Sequence, residues 1–88
     1  MEKKINLKHI ILKENEEVLC AIKMVGTGAR GEVALVYNMN TRLYDVRRWL
    51  RIHGCEECHL ESVPTAECRE AMDTFKDNYI PHVAKICS

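Results

Sequence analysis

The alternation of apolar and polar residues predicts three strands in the first half of the chain. In residues 5–12, INLKHIIL, every second position places Ile5, Leu7, His9 and Ile11 on one face before an apolar end, which predicts a strand. Residues 18–25, VLCAIKMV, are apolar on both alternating faces apart from Lys23, which indicates a central strand that is covered on both sides, or covered on one side and tightly flanked. Residues 32–38, EVALVYN, predict a third strand. Because only short turn-like segments separate the three, we expect an antiparallel meander.

The period of the pattern changes at residues 40–54, NTRLYDVRRWLRIHG. Leu43, Val46 and Leu50 recur at the spacing of one helical face, and Gly54 is typical of the residue after a helix C-terminus. The pattern therefore predicts a first helix over 40–54.

The second half of the chain predicts one short strand and a second helix. Residues 58–63 form the strand, which is expected to return beside the sheet through a right-handed crossover. Residues 64–79 have helical spacing, with Thr65 as the N-cap and Pro81 ending or kinking the helix. Residues 80–88 fit a terminal strand or a helical tail. The expected fold class is α+β, a two-layer β-β-β-α-β-α domain with both helices on one face of the sheet.

Length and composition place these elements in one globular domain over residues 1–88. Apolar residues make up 47% of the chain and charged residues 30%, which argues against disorder. No apolar run has membrane-spanning length, and the basic start lacks the apolar stretch of a signal peptide. The odd number of cysteines, five, suits free thiols in a reducing compartment, so we expect an unprocessed cytoplasmic protein without a membrane contact.

Charge is balanced overall but divided along the chain. The formal net charge is zero, with an excess of arginine in residues 33–54 and an excess of carboxylates in residues 55–77. A neutral total argues against bulk electrostatic capture of nucleic acid, whereas a bipolar surface fits docking onto a protein with complementary patches. Solvated faces of no particular function produce the same pattern.

Four residues of the predicted first helix form a basic and aromatic face. Tyr44, Arg47, Arg48 and Arg51 lie three, four and seven positions apart, opposite the apolar stripe. Guanidinium groups beside an aromatic ring can hold phosphates, stack on bases or grip carboxylates, and both residue types are enriched at interface hot spots. We therefore expect this face to bind a partner, with an ordinary solvated helix face as the alternative.

The stretch Cys55-Glu-Glu-Cys58-His59 raises three chemical hypotheses. Its spacing supplies half of a zinc knuckle, which His59 and Cys68 would complete, although no second C-x-x-C exists. C-x-x-C-H is also the haem attachment pattern, but its mid-chain position disfavours haem. Acidic residues between the thiols and the end of a predicted helix before them disfavour a reactive thiolate. Free cysteines in a loop remain the alternative to zinc.

No other motif carries chemistry. Gly26, Gly28 and Gly31 match G-x-G-x-x-G, but a β-branched run follows where a dinucleotide site needs a helix, so the match predicts a hairpin loop. No paired buried carboxylates, Ser-His-Asp order, P-loop or H-E-x-x-H appears, and an enzyme is not expected.

The leading functional hypothesis is a small non-enzymatic interaction protein of the adaptor or inhibitor type, such as phages and mobile elements encode. It would dock a charged surface onto a protein partner. The first alternative is a nucleic-acid-binding regulator that reads with the arginine-rich helix, and the second is a cysteine-based zinc-binding or redox protein. An unguarded strand edge, at 5–12 or 32–38, would allow a dimer.

Overall fold

The computed structural model describes residues 7–26, 28–52 and 57–87. In this part of the chain, four strands precede one helix: β1 (Glu16–Gly26), β2 (Ala29–Asn38), β3 (Leu43–Ile52), β4 (Cys58–Glu61) and α1 (Cys68–Cys87). The strands form one sheet in the order β1-β2-β3-β4, and every neighbouring pair is antiparallel. The expected α+β class is confirmed, whereas the predicted number of helices is not.

A long hairpin forms from β1 and β2. Its register runs from Glu16 opposite Asn38 to Gly26 opposite Ala29, with an irregularity between Val18 and Cys20. The turn has two residues, and Gly28 adopts a φ of 72°, the left-handed conformation that glycine tolerates best. The loop predicted over 26–31 is therefore shorter than expected, because its second half already belongs to β2.

Residues 43–52 form a strand, so the helix predicted over 40–54 is wrong. Val46 and Leu50, which suggested a helical stripe, are four positions apart, and an even separation also places two residues on one face of a strand. Asn40 and Thr41, at the expected helix start, lie instead in the β2–β3 turn, where their backbone N–H groups donate to Asn38 Oδ1.

The predicted first strand is also absent from the described residues. Residues 7–13 run across one face of the sheet without pairing as a strand, and Ile10 packs there against Ala34, Val36 and Trp49. The edges of the sheet are therefore β1 and β4, not the segments 5–12 and 32–38, because 32–38 lies within β2 between two neighbours.

The sheet has a hydrophobic layer on each side. On one side, α1 covers a core made of Met24, Val33, Leu35, Val46, Leu50, Ala71 and Phe75. On the other side, residues 7–10 cover the smaller cluster around Ala34, Val36 and Trp49. Alternate side chains of β2 enter both layers, so the strand buried on both faces is β2 rather than β1.

Helix α1 starts later and ends later than predicted. Thr65 lies just before the helix, where its Oγ1 accepts from the Glu67 backbone N–H and donates to the Glu70 carboxylate. The backbone of Thr65 also pairs with Tyr44, which extends the sheet at β3. The helix continues through Pro81 to Cys87, so residues 80–87 are helical. No helix in the described ranges is long and apolar enough to cross a membrane.

We expect Phe75→Ala to destabilise the protein because Phe75 joins α1 to the sheet and is only 4% exposed. The cost should be about 3–5 kcal/mol, the range for truncating a buried aromatic residue. Asp73→Ala, an exposed position on the same helix, is the matched control and should change stability by no more than about 0.5 kcal/mol. Urea unfolding followed by circular dichroism measures both, and equal midpoints for the two variants would contradict this packing.

Candidate functional site

The face of the sheet turned away from α1, here called the second face, carries most of the buried polar groups. The register between β2 and β3 sets its rows: Arg30 opposite Arg51, Glu32 opposite Trp49, Ala34 opposite Arg47, and Val36 opposite Asp45. Side chains of directly opposed residues in an antiparallel pair lie on the same face, so each row is a pair of neighbours. The rows place structural charges at one end and exposed arginines at the other.

Arg47 is the centre of a charge cluster that joins three strands. Its guanidinium makes a two-pronged ion pair with Glu16 of β1, and its Nε lies 3.0 Å from Asp45 Oδ2 and 3.4 Å from Glu61 Oε1. Arg47 Nη1 also donates to the backbone oxygen of Ile11 at 3.1 Å. The side chain of Arg47 is only 15% exposed, so these contacts enclose most of its guanidinium.

The cluster shifts the pKa values of Glu16 and Asp45 in opposite directions. The hydrogen bond from Arg47 lowers the pKa of Glu16 from 4.5 to about 2, against the opposing effect of burial. Burial raises the pKa of Asp45, and the hydrogen-bonded Glu61 carboxyl raises it further, while Arg47 lowers it in part. The pKa of Arg47 is itself raised, chiefly by the hydrogen bond to Glu16. Glu16 is therefore the carboxylate whose charge most favours folding.

Glu32 holds the segment at residues 8–10 against the second face. Its carboxylate is 3% exposed and accepts the backbone N–H groups of Lys8 at 3.1 Å, His9 at 3.0 Å and Ile10 at 3.3 Å. The His9 ring stacks on Trp49 with ring centroids 3.5 Å apart and planes 5° from parallel. Backbone hydrogen bonds and ring stacking thus fix His9 beside the end of the sheet that carries the arginines.

Arg30 and Arg51, here called the arginine pair, are directly opposed and exposed on the second face. Like charges at opposed positions of a sheet are destabilising. Within the described residues, neither guanidinium has a salt-bridge partner, and the nearest buried carboxylate along β2, Glu32, accepts backbone N–H groups instead. Among the described residues, the two positive charges therefore lie side by side without a carboxylate that neutralises them.

A cavity of about 430 Å³ lies beside the arginine pair. Its walls include the pair itself, the rings of His9 and Trp49, and Gly28 at the β1–β2 turn. Trp49 is 2% exposed, and its indole Nε1–H has no hydrogen-bond acceptor among the described residues. A buried donor without an acceptor costs about 1–3 kcal/mol, and the residue that carries this donor forms part of the cavity wall. We call this site the arginine-pair cavity.

A second hollow of about 560 Å³ lies on the other side of His9, between residues 10–13 and β4. It combines the apolar side chains of Ile11 and Leu60 with the charged groups of Lys13, Arg47, Arg48 and Glu61. Arg47 is already paired with carboxylates, Glu61 among them. This hollow therefore differs from the arginine-pair cavity in having a carboxylate in its own lining.

The four predicted partner-binding residues do not share one surface. Because successive strand residues alternate between faces, Tyr44 and Arg48 point toward α1, whereas Arg47 and Arg51 lie on the second face. Tyr44 packs against the core beneath α1, and Arg48 Nη1 lies 3.5 Å from Asn78 Oδ1 on the helix. Of the four, only Arg51 is exposed. Whether any of them binds a partner stays a prediction.

Sequence reasoning missed Arg30, His9 and Trp49. Their proximity to Arg51 depends on the β2–β3 register and on the path of residues 7–10. The available signal was the aromatic and β-branched content of 43–52, which favours a strand over a helix. In a strand, Tyr44 and Arg51 lie on opposite faces, and Arg51 is a neighbour of the adjacent strand β2 instead.

The predicted metal ligands lie on separate parts of the structure. Cys58 and His59 are consecutive in β4, so their side chains point to opposite faces, and exposed Cys68 begins α1. Cys55 lies outside the described residues. In the described ranges, no group of three or more His, Cys, Asp or Glu side chains is placed to hold a metal ion. The four-residue zinc site stays a prediction that depends on Cys55.

Cys20, which packs against the core beneath α1, is not favoured as a reactive thiol. Burial raises the pKa of the Cys20 thiol, and the nearby Cys68 raises it further. A raised pKa reduces the fraction of thiolate, which is the reactive form. Cys20 therefore acts as a small apolar residue packed against the core beneath α1.

Comparisons with protein-family models, with curated proteins and with solved structures found no match for this chain. The interpretation of the second face therefore depends on its own geometry and charge.

We expect Glu16→Gln to destabilise the protein at neutral pH by about 1.5–3 kcal/mol, the range for a hydrogen bond to a charged group. The pKa of Glu16 is lowered from 4.5 to about 2 in the folded state. The stabilisation by Glu16 is therefore fully present above pH 4.5 and is lost as the pH falls toward 2. The stability difference between wild type and variant should therefore shrink as the solution is acidified. Urea unfolding along a pH series measures it, with exposed Glu17→Gln as the control. A difference independent of pH would contradict the assignment.

We expect Glu32→Gln to loosen the segment at residues 8–10, because one amide oxygen cannot replace two carboxylate oxygens that accept three N–H groups. Hydrogen exchange at Lys8, His9 and Ile10 should accelerate about 10- to 100-fold, from about 1.5–3 kcal/mol of lost hydrogen bonding. Lys23→Gln, opposite Glu32 on β1, is the control and should leave these amides unchanged. Unchanged exchange in Glu32→Gln would disprove the anchoring role.

Proposed function

We propose that this chain is a small non-enzymatic interaction protein, of the adaptor or inhibitor type, that docks onto an acidic surface of a protein partner. The observation that carries the proposal is the arginine pair, Arg30 and Arg51, which is exposed and not neutralised by any described residue. Arginine is enriched at interface hot spots because its planar guanidinium binds carboxylates with two parallel hydrogen bonds. Among the arginines proposed from the sequence, Arg51 is the exposed one, which supports its proposed role.

The arrangement of the other charges supports docking at this end of the second face. Arg47 is surrounded by carboxylates, so the positive charge near the middle of the face is already compensated. The arginine pair is therefore a local positive patch on a chain whose formal net charge is zero. A local patch on a neutral protein favours a partner with a matching acidic patch and disfavours non-specific binding to a polyanion. The free cysteines at positions 20, 58 and 68 support a reducing, cytoplasmic setting.

The test compares two charge-reversed variants of equal net charge in capture experiments from extracts of the native host. Arg30→Glu/Arg51→Glu alters the proposed docking site, whereas Arg69→Glu/Lys76→Glu alters exposed residues of α1. We expect wild type and the α1 variant to capture the same partner. The arginine-pair variant should capture about tenfold less of it or lower still, and capture by wild type should fall as the salt concentration rises. Quantitative mass spectrometry of the captured proteins measures the difference.

Two outcomes would contradict the proposal. Equal capture of the same proteins by all three forms would show that the arginine pair is not the docking site. Capture that disappears after nuclease treatment, with nucleic acid in the bound fraction, would favour the nucleic-acid regulator instead. Circular dichroism of each variant confirms that the fold is retained before the comparison is made.

A further inference from the structure

Two charged guanidinium groups and the single tryptophan lie together at the arginine-pair cavity. Arg30 and Arg51 occupy opposed positions of β2 and β3, and all three residues line the same cavity of about 430 Å³. Because like charges at opposed positions of a sheet are unfavourable, a ligand that supplies acceptor oxygens between the two guanidinium groups would relieve a cost already present in the folded protein.

The charge of the cavity indicates an anionic ligand. The arginine pair contributes two positive charges, and the carboxylate oxygens of Glu32 are committed to backbone N–H groups of the segment at residues 8–10. An oxyanion between the two guanidinium groups would convert a repulsive like-charge pair into two charge-assisted contacts. The cavity is also larger than a single carboxylate needs, and Val25 and the His9 ring add apolar wall. It can therefore accept a carboxylate together with the side-chain stem that carries it.

We propose that the arginine-pair cavity is a carboxylate-binding site that receives a glutamate or aspartate side chain from an acidic segment of the protein partner. Arg30 and Arg51 hold the carboxylate, and Trp49 forms part of the wall beside it. His9, held by its stack on Trp49, forms the wall against which the stem of the acidic side chain packs. This site rests on the proposed function and specifies the group of the partner that is recognised.

The single tryptophan of the chain makes the site directly observable. Protein labelled with ¹⁵N gives one indole N–H signal in a proton–nitrogen correlation spectrum, and this signal belongs to Trp49. Titration with a capped tetraglutamate peptide should shift the signal in a saturable manner, because a carboxylate bound beside Trp49 changes the electrostatic environment of its indole ring. A capped tetraglutamine peptide, which lacks the charge, should leave the signal in place.

The variant Arg30→Gln/Arg51→Gln should weaken peptide binding about tenfold or more, since it removes both charged donors while keeping neutral polar side chains. Lys23→Gln/Arg69→Gln removes the same total charge from positions outside the cavity and should leave the titration unchanged. The pattern of all other amide signals in each variant shows whether the fold is retained. The comparison therefore separates a specific site from a general loss of positive charge.

Two results would overturn the carboxylate site. One is the absence of a saturable indole shift with tetraglutamate, and the other is an equal shift in the arginine-pair variant. Inorganic phosphate and an oligothymidine strand are titrated at matched ionic strength, and tighter binding of either would also overturn it in favour of a phosphate ligand. If the indole signal does not respond but charge reversal of the pair still abolishes partner capture, docking stands and only the cavity assignment fails. If the peptide shifts the indole signal but no partner is captured, the carboxylate site stands and the proposed docking fails.

Discussion

The burial of β2 on both faces is the constraint on which the other parts of this structure depend. Val33 and Leu35 alternate with Ala34 and Val36, and all four side chains are almost fully buried. A strand with two apolar faces must be covered twice, and this chain provides α1 on one side and the segment at residues 7–10 on the other. Residues 7–10 thus cover one face of the sheet and do not extend it as a strand. Their backbone N–H groups, which no strand pairing satisfies, are satisfied in part by Glu32 of the same β2.

Arginine serves two different purposes on the second face. Arg47 ties β1, β3 and β4 together through Glu16, Asp45 and Glu61, and its guanidinium is largely enclosed by those contacts. Arg51, four residues further along the same strand, is on the same face but beyond the reach of these carboxylates. The difference arises from the register with β1 and β2, since Arg47 lies in the part of the sheet that Glu16 can reach, whereas Arg51 is opposed by another arginine. One residue type therefore stabilises the fold at one position and is proposed to bind a partner at the other.

The arginine-pair cavity combines features that oppose stability. Two like charges are adjacent, and the indole N–H of Trp49 is buried without an acceptor in the described part of the chain. Such costs are tolerated at binding sites because a ligand that relieves them binds with the corresponding gain in free energy. Two residues of the cavity wall are held in fixed positions, since Trp49 lies in a central strand and His9 is fixed by both stacking and a backbone hydrogen bond. These two side chains therefore lose little conformational entropy when a ligand binds, whereas the exposed arginines are ordered only by the ligand.

The sequence by itself determined the β1–β2 hairpin, the short strand at β4 and most of the helix, because period, glycine content and capping residues act within a few positions of the chain. It also predicted the α+β class. The tertiary structure decided that 43–52 is a strand and that residues 7–10 are a cover. Val46 and Leu50 are four positions apart and satisfy a helical and a strand period equally. The aromatic and β-branched residues of 43–52 favour a strand, but pairing with β2 is what fixes it. The meeting of Arg30, Trp49 and Arg51 likewise depends on a register between distant segments, which local periodicity does not contain.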